Sequence, residues 1–300
     1  MEEFRNVIHS LDARVVQVRH LEADQHALVI DAPAIAESAT PGSFVHLGVH
    51  AEPSMMRRPL SILWSDPERG TIEVLYKIVG KGTEELARVQ EGETLPALGP
   101  IGRGFQAEPD RDRPLLIGGG VGIPPILFLA REIKEHTVPL VVMGSEIPFP
   151  FASRPSTIRV PGMPDGVIAG MSLLEDWGVA SRLCSTQGYA GCYDGYVDAA
   201  ARMWLKTQTP EQRARVAVFT CGPVPMLEAV ARLAREFDVP CQICMEEYMA
   251  CAVGGCAGCT VPVLGENGWA MKRVCVDGPV FDAQAVFPEG TRWPGSSPST

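Results

Sequence analysis

The segment Cys251-Ala252-Val253-Gly254-Gly255-Cys256-Ala257-Gly258-Cys259, followed after fifteen intervening residues by Cys275, decides how the whole chain is read. Its spacing is C-x4-C-x2-C…C, and only alanine, valine and glycine separate the first three thiols. Small side chains let the backbone come close to an inorganic core and turn its N–H groups toward sulfur. This is the plant-type ligand pattern of a [2Fe–2S] cluster, so Cys251, Cys256, Cys259 and Cys275 are the expected metal ligands. The fourth comes late because it is expected from a different strand.

Two other readings compete. Cys241-x2-Cys244 followed by Cys256-x2-Cys259 resembles the paired hooks of a structural zinc site. However, Val239, Cys241, Ile243 and Met245 alternate with Pro240, Gln242, Cys244 and Glu246, the period of a strand. That puts Cys241 and Cys244 on opposite faces, and the zinc reading leaves Cys251 and Cys275 without a role. A disulfide framework is disfavoured by the odd count of nine cysteines and by an N-terminus, Met1 to Ser10, with no apolar core of signal-peptide length.

The 300 residues are 46% hydrophobic and 21% charged, the profile of a folded chain with room for two or three domains. A net charge of −10 argues against nucleic acid or an anionic membrane as partner. No apolar run approaches the roughly 18 residues of a spanning helix. A soluble cytoplasmic protein is expected.

Upstream of the cysteines the chain divides by period. From Val15 to about Ile101, short apolar stretches alternate with turn signals such as Pro41-Gly42-Ser43 and Glu68-Arg69-Gly70, which predicts a closed barrel or sandwich. His46 and His50, four apart, read as surface or core-edge side chains of a strand rather than a metal pair. Within the barrel, Arg57-Arg58-Pro59-Leu60-Ser61-Ile62 offers a guanidinium that can pair with phosphate and a hydroxyl that can meet a ring edge. Gly80-Lys81-Gly82-Thr83 reads as a glycine turn into a helix, with Thr83 as cap and N–H groups free for a pyrophosphate. After a charged linker, 106–114, a short strand runs into Gly118-Gly119-Gly120-Val121-Gly122-Ile123-Pro124-Pro125 and then a helix over 126–136. Strand, glycine loop and helix form the dinucleotide-binding arrangement. Further βα alternation brings a strand over 216–219 to Thr220-Cys221-Gly222-Pro223, where Cys221 can lean on a nicotinamide ring. Residues 146–177, with five prolines, lack periodicity and read as a surface excursion.

Flavin-type barrel, nicotinamide-type α/β domain and cluster loop belong on one chain for a chemical reason. A nicotinamide exchanges a hydride, a cluster exchanges single electrons, and a flavin does both, so it sits between them. No general base is called for, and no catalytic residue is nominated.

At this point the chain resembles the electron-transfer subunits of two-subunit dihydroorotate dehydrogenases, a branch of the ferredoxin–NADP reductase superfamily. The resemblance spans Val15 to Val286 and rests on Arg58-Pro59-Leu60-Ser61, Gly82-Thr83, the 118–122 glycines with Pro124-Pro125, Cys221-Gly222-Pro223, and the cluster loop with Asp277-Gly278-Pro279-Val280-Phe281 after its last cysteine. It implies an antiparallel FAD-binding β-barrel (1–105), a parallel α/β NAD-binding domain (106–240) and a [2Fe–2S] module (241–286); the tail 287–300, rich in proline, glycine and serine, is expected to be disordered. FAD is expected at Arg58, Pro59, Leu60, Ser61, Leu75, Tyr76, Lys77, Gly82 and Thr83. NAD is expected at Gly118, Gly119, Gly120, Gly122, Cys221, Gly222 and Pro223. The implied partner is an FMN-containing catalytic subunit that oxidises dihydroorotate, in a complex of two chains of each kind. Electrons would pass from that subunit through the cluster and FAD to NAD⁺, for pyrimidine biosynthesis. The nearest rival is a flavin/iron–sulfur subunit of an NADH-dependent ferredoxin:NADP⁺ oxidoreductase or sulfide dehydrogenase. Where members commonly carry an acidic pair, this chain has Ser185-Thr186-Gln187-Gly188, which leaves the choice between NAD and NADP open.

Overall fold

The computed structural model describes residues 8–49 and 56–290, which fall into two compact units. The first holds 8–49 and 56–104 together with 246–261 and 271–280. The second holds 105–245, 262–270 and 281–290.

The first unit is built on six strands: β1 (His9–Leu21), β2 (Gln25–Asp31), β3 (Phe44–Leu47), β4 (Arg58–Asp66), β5 (Thr71–Lys77) and β6 (Thr94–Ile101). They close into an antiparallel barrel in the order β1-β2-β5-β4-β3-β6. Register shifts in β1 between Val15 and Gln17, and in β4 between Ile62 and Trp64, bend the strands so that the sheet can curl on itself. Val15, Leu28, Ile30, Val45, Leu47, Ile62, Val74 and Leu95 are fully buried, each contributing roughly 1.5–3 kcal/mol. Two short helices, α1 (Pro33–Ser38) and α2 (Lys81–Ala87), anchor to this core through Ile35 and Leu86. His46 is wholly buried rather than at the core edge, because its strand lies between β4 and β6. His50 lies outside the described residues.

The second unit is a parallel α/β sheet. Its strands are β7 (Leu115–Gly119), β8 (Leu140–Gly144), β11 (Ala180–Ser185), β12 (Tyr193–Asp194), β13 (Val218–Cys221) and β14 (Cys241–Cys244), in the order β12-β11-β8-β7-β13-β14. Helices α3 (Ile123–Ile133), α5 (Val197–Lys206) and α7 (Val224–Glu236) follow β7, β12 and β13 and bury aliphatic stripes such as Ile126, Leu129, Ala200, Leu205, Val230 and Leu233. A small sheet of β9 (Ser153–Pro155) and β10 (Ala169–Met171), with α4 (Ser172–Asp176), fills the proline-rich region, and α6 (Pro210–Arg213) precedes β13. Later in the chain come the two-stranded sheet of β15 (Thr260–Gly265) and β16 (Gly268–Arg273), the strand β17 (Val280–Asp282) beside β14, and α8 (Ala283–Val286).

The structure corrects several expectations. Residues 241–286 contribute to both compact units: the cysteine loop groups with the barrel, while β14 and α8 group with the sheet. The 146–177 region is no loose excursion, since Val160, Val167, Ala169, Met171 and Leu174 are buried. Its backbone is tied to β11, where Arg182 donates to the Ile158 carbonyl at 2.7 Å. The helix after the glycine loop ends at Ile133, and the strand before Cys221 starts at Val218. The chain also stays packed past 286: Phe287 is buried and its carbonyl accepts from Arg235 at 2.5 Å. Residues 291–300 lie outside the described residues. No helix among the described residues is long and apolar enough to cross a membrane.

Candidate functional site

The residues expected to hold FAD lie on β4, β5 and the start of α2. Arg58 opens β4 and Gly82 lies in the first turn of α2, yet a Cβ on Gly82 would collide with the Arg58 guanidinium. Glycine at this position therefore lets a planar cation rest on the helix start, at the positive end of the helix dipole. Two sources of positive potential converge there, which fits a pyrophosphate. Thr83 is not the cap residue itself. It sits at the third helical position, and its hydroxyl accepts from Val79 N at 2.9 Å and Gly80 N at 3.3 Å while donating to Gly80 O. Leu75 and Tyr76 are buried and Lys77 half-buried on β5, which pairs with β4. Tyr76 stacks on His26 at 5.6 Å, and burial drives its phenol far above the ordinary range. Its buried hydroxyl has no hydrogen-bond partner among the described residues, an orphan donor that a polar ligand atom would satisfy. Pro59, Leu60 and Ser61 continue β4, paired with His46, Val45 and Phe44.

The cysteine loop follows β14 and is held by β16. Cys251 is half-buried, Cys256 exposed, and Cys259 and Cys275 buried with their Sγ atoms 3.3 Å apart and no disulfide between them. Ala252, Gly254 and Ala257 take positive φ of 57°, 83° and 52°, turns that rotate amides inward. Cys256 N donates to Cys251 Sγ and Gly258 N to Cys256 Sγ, both at 3.4 Å. Burial alone would raise the Cys251 thiol, but N–H groups of Val253, Cys256 and Gly255 bring it down to about 7. Cys275 is pushed up to about 12 by burial and by Cys259 beside it; a metal ion supplies the positive charge that offsets this. Arg273 braces the loop, donating to Gly254 O at 3.1 Å while its backbone N–H donates to Asp277 at 2.8 Å. A Cβ on Gly254 would come within 2.6 Å of Val276, so the loop closes tightly on the segment after Cys275. A two-iron cluster asks for two pairs of thiolates, and Cys259 with Cys275 forms one such pair.

The residues expected to take the nucleotide lie at the carboxyl ends of β7 and β13, where open α/β sheets bind ligands. Gly118 is in register with Cys221. A Cβ on Gly122 would come within 2.5 Å of Gly222 N and closer still to the Cys221 carbonyl, and one on Gly119 would meet Met226 Sδ at 2.5 Å. Gly120 takes φ 54° and, with Val121, is exposed just before α3. These glycines bring the two strand ends together and leave a bare backbone edge, with Pro223 opening the turn into α7. Cys221 is wholly buried. Sequence reasoning missed Glu146 at this edge, which binds Thr186 and Gln187; its only signal was an acidic residue closing the strand after the glycine loop. It also missed Arg273, whose role is visible only once β16 folds back.

Residues 246–287 match the family described as the iron-sulfur cluster binding domain of dihydroorotate dehydrogenase B. Over 278 residues the chain is 33% identical to the dihydroorotate dehydrogenase B (NAD(+)) electron transfer subunit of Bacillus caldolyticus, covering 91% of this chain and 96% of that one. The protein of the same description from Caldanaerobacter subterraneus subsp. tengcongensis is 30% identical over 280 residues, at 92% and 98%. Among solved structures, one described as the NADH-dependent reduced ferredoxin-NADP oxidoreductase, studied for flavin-based electron bifurcation, superposes with a TM-score of 0.72 at 27% identity, covering 91% of this chain and 89% of that one. The ferredoxin reductase of carbazole 1,9a-dioxygenase shares the fold, with a TM-score of 0.59 at 23% identity over 78% and 67%.

Proposed function

The chain belongs to the family of dihydroorotate dehydrogenase B electron transfer subunits, and from that premise we propose how its own residues divide the work. It is an NAD-linked oxidoreductase subunit that carries FAD and a [2Fe–2S] cluster. The electrons that it passes to NAD⁺ come from a catalytic partner subunit. When bound, these groups supply the redox chemistry, single electrons at the cluster and a hydride at the nicotinamide, with the flavin converting between them.

Arg58, Gly82 and Thr83 hold the pyrophosphate of FAD, while Ser61, Tyr76 and their strand neighbours Pro59, Leu60, Leu75 and Lys77 hold the rest. Cys251, Cys256, Cys259 and Cys275 ligate the cluster. Gly118, Gly119, Gly120 and Gly122, with Cys221-Gly222-Pro223, take the NAD. The observation that carries this reading is the grouping of the cysteine loop with the barrel in one compact unit. Arg103 N donates to Gly278 O at 2.6 Å, stitching the end of the barrel to the segment just after Cys275. A short electron path needs that arrangement. The partner in this reading contains FMN, oxidises dihydroorotate and joins this chain as two copies of each, in the cytoplasm.

A second reading, as subunit of an NADH-dependent ferredoxin:NADP⁺ oxidoreductase, draws on the likeness to that solved structure. The deciding experiment is a pull-down of the tagged chain from its own host, assayed for dihydroorotate-dependent NAD⁺ reduction. Activity, with FMN in the co-purified subunit, supports the proposal. An eluate that oxidises NADH with dyes but ignores dihydroorotate, beside a partner rich in iron–sulfur clusters, would transfer the chain to the second reading.

A further inference from the structure

The segment Ser185-Thr186-Gln187-Gly188 follows β11 at its carboxyl end and carries no acid of its own. The fold supplies one from the neighbouring strand. β8 and β11 run parallel with Gly144 opposite Cys184, and Ser145 N donates to Cys184 O at 3.1 Å, so the residues just past both strands are neighbours. Glu146 lies there, exposed. Its Oε2 accepts from the Thr186 hydroxyl and from Gln187 Nε2 at 3.0 Å. The backbone N–H of Thr186 stands at a long 3.4 Å from Oε1, so that oxygen keeps most of its accepting capacity. Among the described residues no cation pairs with this carboxylate, and the hydroxyl of Thr186 and the amide of Gln187 hold its carboxyl below the ordinary range.

Position gives the carboxylate a purpose. β7 and β8 are adjacent and parallel, with Gly119 opposite Gly144. A dinucleotide whose phosphates rest on the Gly120 edge therefore has its adenosine half one strand over, at the end of β8. An acid about 20 residues past the glycine loop meets the ribose 2′-hydroxyl in folds of this type, and Glu146 follows Gly122 by roughly that interval. Beside it, Phe149 and Tyr189 form a half-buried edge-to-face pair with ring centroids 6.4 Å apart, a surface on which an adenine can lie.

We propose that Glu146, braced by Thr186 and Gln187, accepts hydrogen bonds from the adenosine ribose of NAD(H) and excludes the 2′-phosphate of NADP(H), with the adenine against Phe149 and Tyr189. The acid that selects the cofactor thus comes from β8 rather than β11. An ionised carboxylate with no cation nearby repels a phosphate, while a ribose diol supplies two donors to its open oxygen. This inference rests on the NAD-linked reading above.

The test measures dissociation constants of NADH, NADPH, 5′-AMP and 2′,5′-ADP on the FAD- and cluster-loaded protein. Wild type prefers NADH over NADPH and 5′-AMP over 2′,5′-ADP. Glu146→Gln weakens NADH by about tenfold to a hundredfold, the scale of a hydrogen bond to a charged group, and narrows both preferences; Glu146→Asp restores part of them. Phe149→Ala weakens all four ligands in proportion, leaving the ratios intact. If wild type prefers NADH and Glu146→Gln keeps the same ratio, the role of Glu146 is overturned and the NAD-linked reading stands. If wild type binds none of the four ligands, both fall together.

Discussion

Replacing Gly122 with alanine tests the nucleotide site through geometry alone. Gly122 has an ordinary φ of −83°, so alanine meets no backbone strain there and any effect is steric. The added methyl would sit within 2.5 Å of Gly222 N and closer to the Cys221 carbonyl, against the roughly 3.5–4.0 Å of comfortable contact. Both neighbours are backbone at the end of a buried strand, so the two loops must part by about 1 Å. Overpacking of this kind costs about 1–3 kcal/mol, a fall in Tm of roughly 2–12 °C for a unit of this size. The same 1 Å shift at the edge proposed to position the nucleotide would cost on the order of 100-fold in turnover. The assay is NADH-driven ferricyanide reduction alongside thermal unfolding, with flavin and iron content measured to show that the barrel unit is still loaded. A Gly122→Ala protein with wild-type Tm and wild-type NADH affinity would refute the packing of these loops against each other.

Three further substitutions probe the other unit. Cys256→Ser exchanges a soft thiolate for a hard oxygen, so cluster iron should drop and dihydroorotate-coupled transfer vanish while NADH-to-dye reduction through FAD persists; simultaneous loss of both activities would break the assigned path. Arg58→Lys keeps the charge but loses the planar fork, and FAD affinity by fluorescence titration should fall at least about tenfold, or ~1.4 kcal/mol; undiminished FAD retention would remove Arg58 from the cradle. His46 is held neutral by burial, its pKa down from 6.5 to about 4. The unfolded chain therefore binds the extra proton first, and the stability that His46 contributes is complete above pH 6.5 and lost as pH falls toward 4, worth roughly 3 kcal/mol. Denaturant melts of wild type and His46→Gln across that window should differ in slope, and parallel curves would contradict it.

The cysteine loop was legible because its spacing is local: three cysteines within nine residues, flanked by residues with almost no side chain, constrain the chemistry before any fold is known. The glycine loop after β7 was legible for the same reason. The strand β11 was not, because Ser181, Arg182 and Ser185 are buried polar residues that interrupt an apolar pattern. Arg182 is tolerated there because the carbonyls of Ser181 and Ile158 accept its N–H groups at 2.6 and 2.7 Å. The 146–177 region hid its packing likewise, since its buried residues are scattered between prolines and repeat with no period.

By itself, then, the sequence determined which groups are held and in what order along the chain, since ligand spacing and glycine turns act over a few residues. Tertiary structure alone decided which distant residues meet: Arg58 on Gly82, Arg273 on Gly254, Glu146 on Thr186, and the cysteine loop with the barrel rather than apart from it. Those pairings depend on barrel closure and strand order, which follow from burying the apolar faces of many strands at once. No single segment carries that information.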